Sequence, residues 1–382
     1  MDFNFSLFFA QIKHTLFASA GTPARLSPKR IRFLLLFFPV FAIIKLSNTL
    51  GFLLDDLVFN EFKQTEISEP VFILGNLRSG TTYLHRLLAK DQENFTYMRF
   101  WEIIFGHSIF QRKFFWKLKE IDDRLGGFFQ KLIRRLEAKT WFSNPIHRMG
   151  LQNPHEDEGL LMGIWESINT SIFFPHLDLV EKYALFDKRV SSKNRRRIMQ
   201  FYKACVKRHL FAHQGAKKYL SKSPAFSPKI DTLLENFPNA KIIYLVRNPL
   251  KVIPSLISWM SFQWSRYIDW PERYIYHDYL IELAREWYQY PLNRLDRAPE
   301  ARYVIVNYDD LVANPKNTIA KIYDHFGFEI SPDFQKILDL EVERERNYRS
   351  KHKYSLAELD LSKKRILETF RFVFQRFKFE TN

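Results

Sequence analysis

Unbroken apolar runs alternate, in two parts of the chain, with segments whose apolar residues recur every three or four positions. Val71–Gly75 reads as a buried strand, and Tyr83–Ala89 repeats leucine at helical spacing. After residue 217 the alternation returns. Tyr219–Ser221, Lys241–Val246 and Arg302–Asn307 have the apolar content of strands, and Lys229–Asn236 and Pro315–Phe326 that of helices. Pro249 stands where a helix would start, because its missing N–H costs nothing there. Strands alternating with helices predict an α/β fold of three layers about a central parallel sheet, with ligands beyond the strand C-termini. Residues 1–65 read as an N-terminal helical region rich in Phe and Leu. Residues 66–382 form the main domain, with a helical insertion at about 100–215. Within it Ile121, Leu125, Phe128, Phe129, Leu132, Ile133 and Leu136 make a stripe at the spacing of one helix, and Lys131, Arg134 and Arg135 fall on its solvated side.

Phe33–Ile44 carries no charge and is bounded by Arg32 and Lys45. It is too short to span a bilayer, and Pro39 interrupts it. Two readings stay open: a helix packed on the core, or peripheral membrane contact in which Lys29, Arg30 and Arg32 meet anionic headgroups while the phenylalanines dip below. The net charge of +16, from 58 Lys+Arg against 42 Asp+Glu, suits an anionic ligand or surface. No zinc-finger, RNP or zipper pattern accompanies it, so nucleic acid is not the expected partner. The single cysteine, Cys205, excludes an internal disulfide framework and fits a reducing, cytoplasmic setting. No Cys/His cluster has the spacing of a zinc site, and no metal is expected.

The candidate chemistry lies between the first strand and the first helix of the α/β pattern. Gly75-Asn-Leu-Arg-Ser-Gly80-Thr81-Thr82 has the spacing of a phosphate-binding loop, with Thr81 where a nucleoside-triphosphate loop has lysine. That lysine contacts the β- and γ-phosphates, so its absence argues against an ATP-dependent phosphotransferase. What remains is a P-loop-like nest of backbone N–H groups at a helix N-terminus, with Arg78, Ser79, Gly80, Thr81 and Thr82 as its members. A second unit, KIIYLVRNPLKVIPS, ends a strand at Arg247 and places Ser255 about two helical turns on. A guanidinium and a hydroxyl there can hold a second phosphate.

Taken together, LGNLRSGTTYLHRLL, SKSPAF, YLVRNPLKVIPS and VNYDDLVANP resemble the sulfotransferases that use 3′-phosphoadenosine-5′-phosphosulfate (PAPS), over about residues 70–355. The likeness is closest to the bacterial branch that shares its loop with tyrosylprotein sulfotransferases; Asn76-Leu77 replaces the more usual small residue plus proline before Arg78. The resemblance implies that Arg78–Thr82 grips the 5′-phosphosulfate, that Arg247 and Ser255 grip the 3′-phosphate, and that Lys222 contacts the phosphosulfate near the scissile bond. It also makes Lys351, His352 and Lys353 candidates for a basic loop over the nucleotide, with a solvated charge run as the alternative. Sulfuryl transfer is mainly positioning and charge stabilisation, which Arg78 and Lys222 can supply without Mg²⁺.

A general base must take the acceptor's proton. Glu102 lies near where the tyrosylprotein enzymes place their glutamate. His155 and Glu156 in NPHEDEG compete with it, and Glu156–Glu158 also read as an acidic helix start favoured by the macrodipole. His85 and His107 read as packing or surface residues. The aromatic and aliphatic content of the helical regions points to an apolar alcohol, such as a sterol or lipid, as acceptor. A carbohydrate or tyrosine hydroxyl stays open, as does a non-catalytic, membrane-associated nucleotide-binding protein.

Overall fold

The computed structural model describes residues 3–139, 150–215, 217–270, 274–346, 356, 359 and 361–381. Five parallel strands form its centre: β1 (Val71–Gly75), β2 (Phe95–Thr96), β3 (Lys218–Lys222), β4 (Lys241–Val246) and β5 (Tyr303–Asn307), in the order β2-β3-β1-β4-β5. Phe72 and Leu74 pack with Ile242, Tyr244 and Val246 on one face of the sheet. Val71 and Ile73 pack with Ile243 and Leu245 on the other. A strand covered on both faces needs an apolar residue at every position, so β1 and β4 read as continuous runs rather than alternations. Each such side chain contributes roughly 1.5–3 kcal/mol by leaving water.

From β1 the chain goes to β2 and β3 on one side, then to β4 and β5 on the other. The order therefore reverses at β1, and the crevice beyond its C-terminal end is where α/β sheets hold ligands. The register aligns Ile73 with Lys222 and Gly75 with Leu245, so the ends of β3, β1 and β4 open onto one place. β2 was not visible in the sequence, because two residues are too few to show a period.

The helices before β3 are α1 (Phe5–Phe17), α2 (Pro28–Val58), α3 (Thr81–Leu88), α4 (Phe100–Phe105), α5 (Ile109–Arg124) and α6 (Phe128–Lys139), followed by several short helices and by Ser192–Ala212. Two of them correct the sequence reading. The apolar run at Phe33–Ile44 is not a short segment: it belongs to α2, which passes through Pro39 and is 31 residues long in all, long and apolar enough by length and composition to cross a membrane. Pro39 faces outward, where a missing N–H interrupts one hydrogen bond without turning the chain. The exposed apolar row also resumes after Lys45, at Leu46, Leu50 and Leu53. The stripe at 121–136 is likewise not one helix. Gly126 and Gly127, at φ +87° and +71°, end α5 and start α6, and the Asp122 carboxylate accepts from the N–H groups of Phe129 and Gln130 at 2.9 and 3.0 Å. Its apolar residues face outward; Leu125 is 71% exposed.

Candidate active site

The loop from β1 to α3 is built on two glycines that nothing larger could replace. Gly75 has φ +147°, and a Cβ there would lie 2.6 Å from the Leu245 carbonyl oxygen. Gly80, at φ +93°, caps α3, and a Cβ would lie 2.2 Å from the Tyr308 ring. Ser227 fastens the loop's entry by accepting from Gly75 N (3.1 Å) and donating to Gly75 O (2.9 Å). Arg78 adopts φ +68°, a left-handed conformation that costs a non-glycine residue about 1 kcal/mol or more. Two neighbours hold it: Arg247 Nη1 donates to Arg78 O at 2.9 Å, and Arg78 Nε donates to Ser255 Oγ at 3.0 Å.

Arg78, Arg247 and Ser255 thus come from three elements to one spot. Arg247 follows β4, and Ser255 lies in the helix Pro249–Ser265, whose first residue is the expected Pro249. The Arg247 guanidinium stacks 4.0 Å from the Tyr308 ring centroid, and Tyr288 donates to Arg247 O at 2.7 Å. Ser79 and Thr81 are buried. Tyr308 and Tyr288 were not singled out in the sequence; the signal available for Tyr308 was its place directly after β5, on the ligand side of the sheet.

Lys222 is the last residue of β3 and is 2% exposed. Its Nζ donates to Glu156 Oε1 at 2.8 Å and to Thr82 Oγ1 at 3.3 Å. A buried ammonium needs such partners to offset its lost hydration. The segment that carries Glu156 is anchored on both sides. His155 N donates to Met98 O at 3.2 Å, and the His155 ring lies 4.3 Å from that of Phe100. Asp157 is buried and accepts from Tyr219 Oη at 2.7 Å, Ser221 Oγ at 2.9 Å and the Tyr202 hydroxyl. Glu158, also buried, accepts from Lys229 Nζ at 3.1 Å, Ser167 Oγ at 2.8 Å and Asn169 Nδ2 at 2.7 Å. Specific partners, more than a helix dipole, therefore account for Asp157 and Glu158, and the helix that follows, Gly159–Met162, has only four residues.

Burial sets the protonation of this segment. It pushes Asp157 up to about 6 against the pull of its three hydroxyl donors. It pushes His155 down to about 3, helped by the Lys222 charge, so the imidazole is neutral and weakly basic. His85, one turn along α3 from Thr82, is buried; burial and then the Lys222 charge hold it well below the usual histidine value. His107 is buried as well, and its Nε2 meets Ile103 O.

Glu102 has different surroundings. It opens α4, where Oε2 accepts from Arg99 N at 2.8 Å. Oε1 accepts from Arg112 Nε at 3.1 Å and lies 3.3 Å from His213 Nε2 and 3.6 Å from His209 Nδ1. Burial alone would raise this carboxyl, but the two imidazoles and Arg112 override it and hold Glu102 well below the usual carboxylate range. Glu102, His209 and His213 bring three ligand-type atoms within 4.8 Å of one another. The Arg112 guanidinium already occupies the shared oxygen, which makes this an ion-pair node rather than a cation's cradle. Lys351, His352 and Lys353 lie outside the described residues.

A parallel sheet with an anion-type loop at its switch point, flanked by a cation at the end of each neighbouring strand, defines a P-loop-like group-transfer fold. The sulfotransferase family model matches residues 70–332, and the chain belongs to that family. It is 25% identical over 274 residues to the omega-hydroxy-beta-dihydromenaquinone-9 sulfotransferase Stf3 of Mycobacterium bovis and equally to that of Mycobacterium tuberculosis; the match covers 69% of this chain and 64% of the relatives' own length. In fold it is similar to sulfotransferase STF9 from Mycobacterium avium, with a TM-score of 0.73 at 18% identity over 100% of this chain and 98% of that one. It is also similar to sulfotransferase STF1 from Mycobacterium tuberculosis H37Rv, at 0.69 and 18% identity over 95% and 91%.

Proposed function

We propose that this sulfotransferase moves a sulfuryl group from PAPS to the hydroxyl of an apolar lipid alcohol, in the reducing cytoplasm and at the membrane surface. The observation that carries the proposal is the position of Lys222 Nζ, in contact with both the loop hydroxyl of Thr82 and the carboxylate of Glu156. A cation against the donor loop and a base beside that cation are the two groups an in-line transfer to a hydroxyl needs.

In this reading the backbone N–H groups from Arg78 to Thr82 receive the 5′-phosphosulfate, while Arg247 and Ser255 receive the 3′-phosphate. The acceptor oxygen attacks sulfur and the sulfur–oxygen bond to the phosphate breaks. Lys222 and Arg78 stabilise the charge that collects on the departing phosphate and the sulfuryl oxygens. Glu156 takes the acceptor's proton, and a sulfate ester and 3′,5′-ADP leave. Glu156 is favoured over the other two candidates because it is 25% exposed beside Lys222. Glu102 has Arg112 and a backbone N–H on its oxygens, and His155 is a weak base. Of the acceptor classes, an apolar alcohol gains support from the relatives' named substrate, omega-hydroxy-beta-dihydromenaquinone-9.

Transfer of labelled sulfate from PAPS to a panel of long-chain alcohols, hydroxylated quinones, sterols, phenols and sugars tests both parts. Turnover confined to sugars or tyrosine overturns the lipid acceptor. Tight Mg-ATP binding with no affinity for 3′,5′-ADP overturns the donor.

A further inference from the structure

We propose that the outer sides of α1, α2, α5 and α6 form one docking surface that lies in the interfacial plane of an anionic bilayer, with α2 flat on the membrane rather than across it. The inference deepens the membrane-surface part of the reading above and gives it a face, an orientation and a headgroup charge.

Along α2 the residues at helical spacing that point away from the body are apolar. Leu35, Leu36 and Ile43 are 70%, 68% and 68% exposed, and Leu57 is 81%. From Leu35 to Leu57 that row runs roughly 33 Å at 1.5 Å per residue. Phe9 and Phe17 of α1, Phe110 and Phe114 of α5, and Phe128 and Phe129 of α6 are exposed too. The four helices are joined: α1 packs on α2 through Phe8 against Phe38, the α2 carboxylate of Asp55 accepts from Ile109 N and Phe110 N at the start of α5, and Asp122 of α5 caps α6. A soluble monomer rarely leaves so large an apolar surface open.

Charge selects the occupant. No Asp or Glu occurs between Asp2 and Asp55, whereas Lys13, Arg25 and Arg32 are exposed there and Lys29 is half-buried. Arg30, expected from the sequence to meet headgroups, is instead buried among Phe33, Phe174 and Tyr267, and Lys45 is turned to the body. Exposed Lys113, Lys131 and Arg134 continue the cationic border on α5 and α6, where Lys117 and Lys119 are paired with Glu120 and Asp123. A second copy of this +16 chain would set these borders against each other, while anionic headgroups would neutralise them.

The orientation follows from the other side of α2. Lys45 Nζ donates to Gly163 O at 2.9 Å, Asn48 Nδ2 donates to Ile104 O at 3.1 Å, and Asp55 accepts from Arg208 Nε at 2.9 Å. A helix tied to the body by this polar side cannot also be surrounded by lipid. The surface lies near the acceptor end of the site as well. Phe115 of α5 packs on Trp101 at 5.6 Å, and Phe100 beside it packs on His155, the neighbour of Glu156.

The test is sedimentation of the full chain with phosphatidylcholine vesicles and with mixed phosphatidylcholine–phosphatidylglycerol vesicles, with no donor or acceptor added. The expected result is partition onto the mixed vesicles at least about tenfold stronger than onto phosphatidylcholine alone. Leu36→Glu/Ile43→Glu/Leu50→Glu is expected to lower it by at least about tenfold at an unchanged thermal midpoint. Lys113→Glu/Lys131→Glu/Arg134→Glu, which leaves the apolar row and the cations of α1 and α2 intact, is expected to weaken the preference for the anionic lipid severalfold. No partition of the native chain, or equal partition of the leucine variant, overturns the proposal. So does a stable dimer, by sedimentation velocity, that the leucine variant dissociates while neither form binds vesicles. Because vesicle binding is read without turnover, a failed sulfate-transfer assay leaves this result standing.

Discussion

Glu102 and Glu156 were interchangeable in the sequence, and the structure sets them in opposite environments. Glu102 is closed in: a backbone N–H takes one oxygen, a guanidinium and an imidazole crowd the other, and the residue is 1% exposed. Glu156 is open on one side and touches a lysine that also reaches the donor loop. A carboxylate with all its lone pairs engaged holds structure together, while one with a side left free beside a mobile proton can do chemistry. Their neighbours draw the same line. Asp157 and Glu158, the next two residues, are buried like Glu102 and, like it, hydrogen-bonded to several donors, so one acidic run contains a candidate base and its two anchors.

That contrast can be broken in several ways. The largest effect is expected at Lys222. Lys222→Ala should lower turnover about 10²–10³-fold, the size seen when one charge-stabilising donor is removed, while calorimetry finds 3′,5′-ADP binding partly retained. Unchanged turnover would remove the link between Glu156 and the donor. Glu102→Ala comes next: it strands Arg112 in a buried site and should cost about 3–5 kcal/mol in denaturant unfolding. A loss below about 1 kcal/mol would mean the node is not structural.

Asp157 supplies a pH test of the anchors. Its folded-state value of about 6 lies above the ordinary 3.8, so the folded chain holds this proton more tightly than the unfolded one. Its contribution is therefore full below the unfolded value and is lost as pH rises from about 4 through 6. Compared with Asp157→Asn, the native protein should lose up to about 3 kcal/mol across that window, at about 1.4 kcal/mol per unit. Parallel stability curves for the two proteins would contradict it. The smallest effect is expected at Ser255. Ser255→Ala removes the acceptor for Arg78 Nε and one candidate phosphate partner, and should weaken 3′,5′-ADP binding by about 1 kcal/mol, or roughly fivefold, by titration.

Much of the fold was legible because its physics is local. β1 and β4 are buried on both faces and so are apolar throughout, and Pro249 and Pro315 start their helices where expected. The donor loop was legible for a similar reason: Gly75 and Gly80 each answer a steric demand that no other residue meets. What stayed hidden depends on distant partners. Nothing near Glu102 in the chain announces His209 or His213, and nothing near Glu156 announces Lys222. Pro39 and Lys45 look like stops in the sequence, yet α2 runs through both: one faces outward and the other binds a carbonyl across the body. The stripe at 121–136 had the right period, but the sense of its exposure is set by what packs against it.

The most direct test is a side-by-side measurement of labelled-sulfate turnover by Glu156→Gln and Glu102→Gln, each normalised to folded protein. Both substitutions keep the shape and remove the charge. The expected result is a loss of about 10²-fold or more for Glu156→Gln, and turnover per folded molecule within about threefold of native for Glu102→Gln, whose deficit should appear as stability instead. Native-like turnover in Glu156→Gln with a collapse in Glu102→Gln would contradict it.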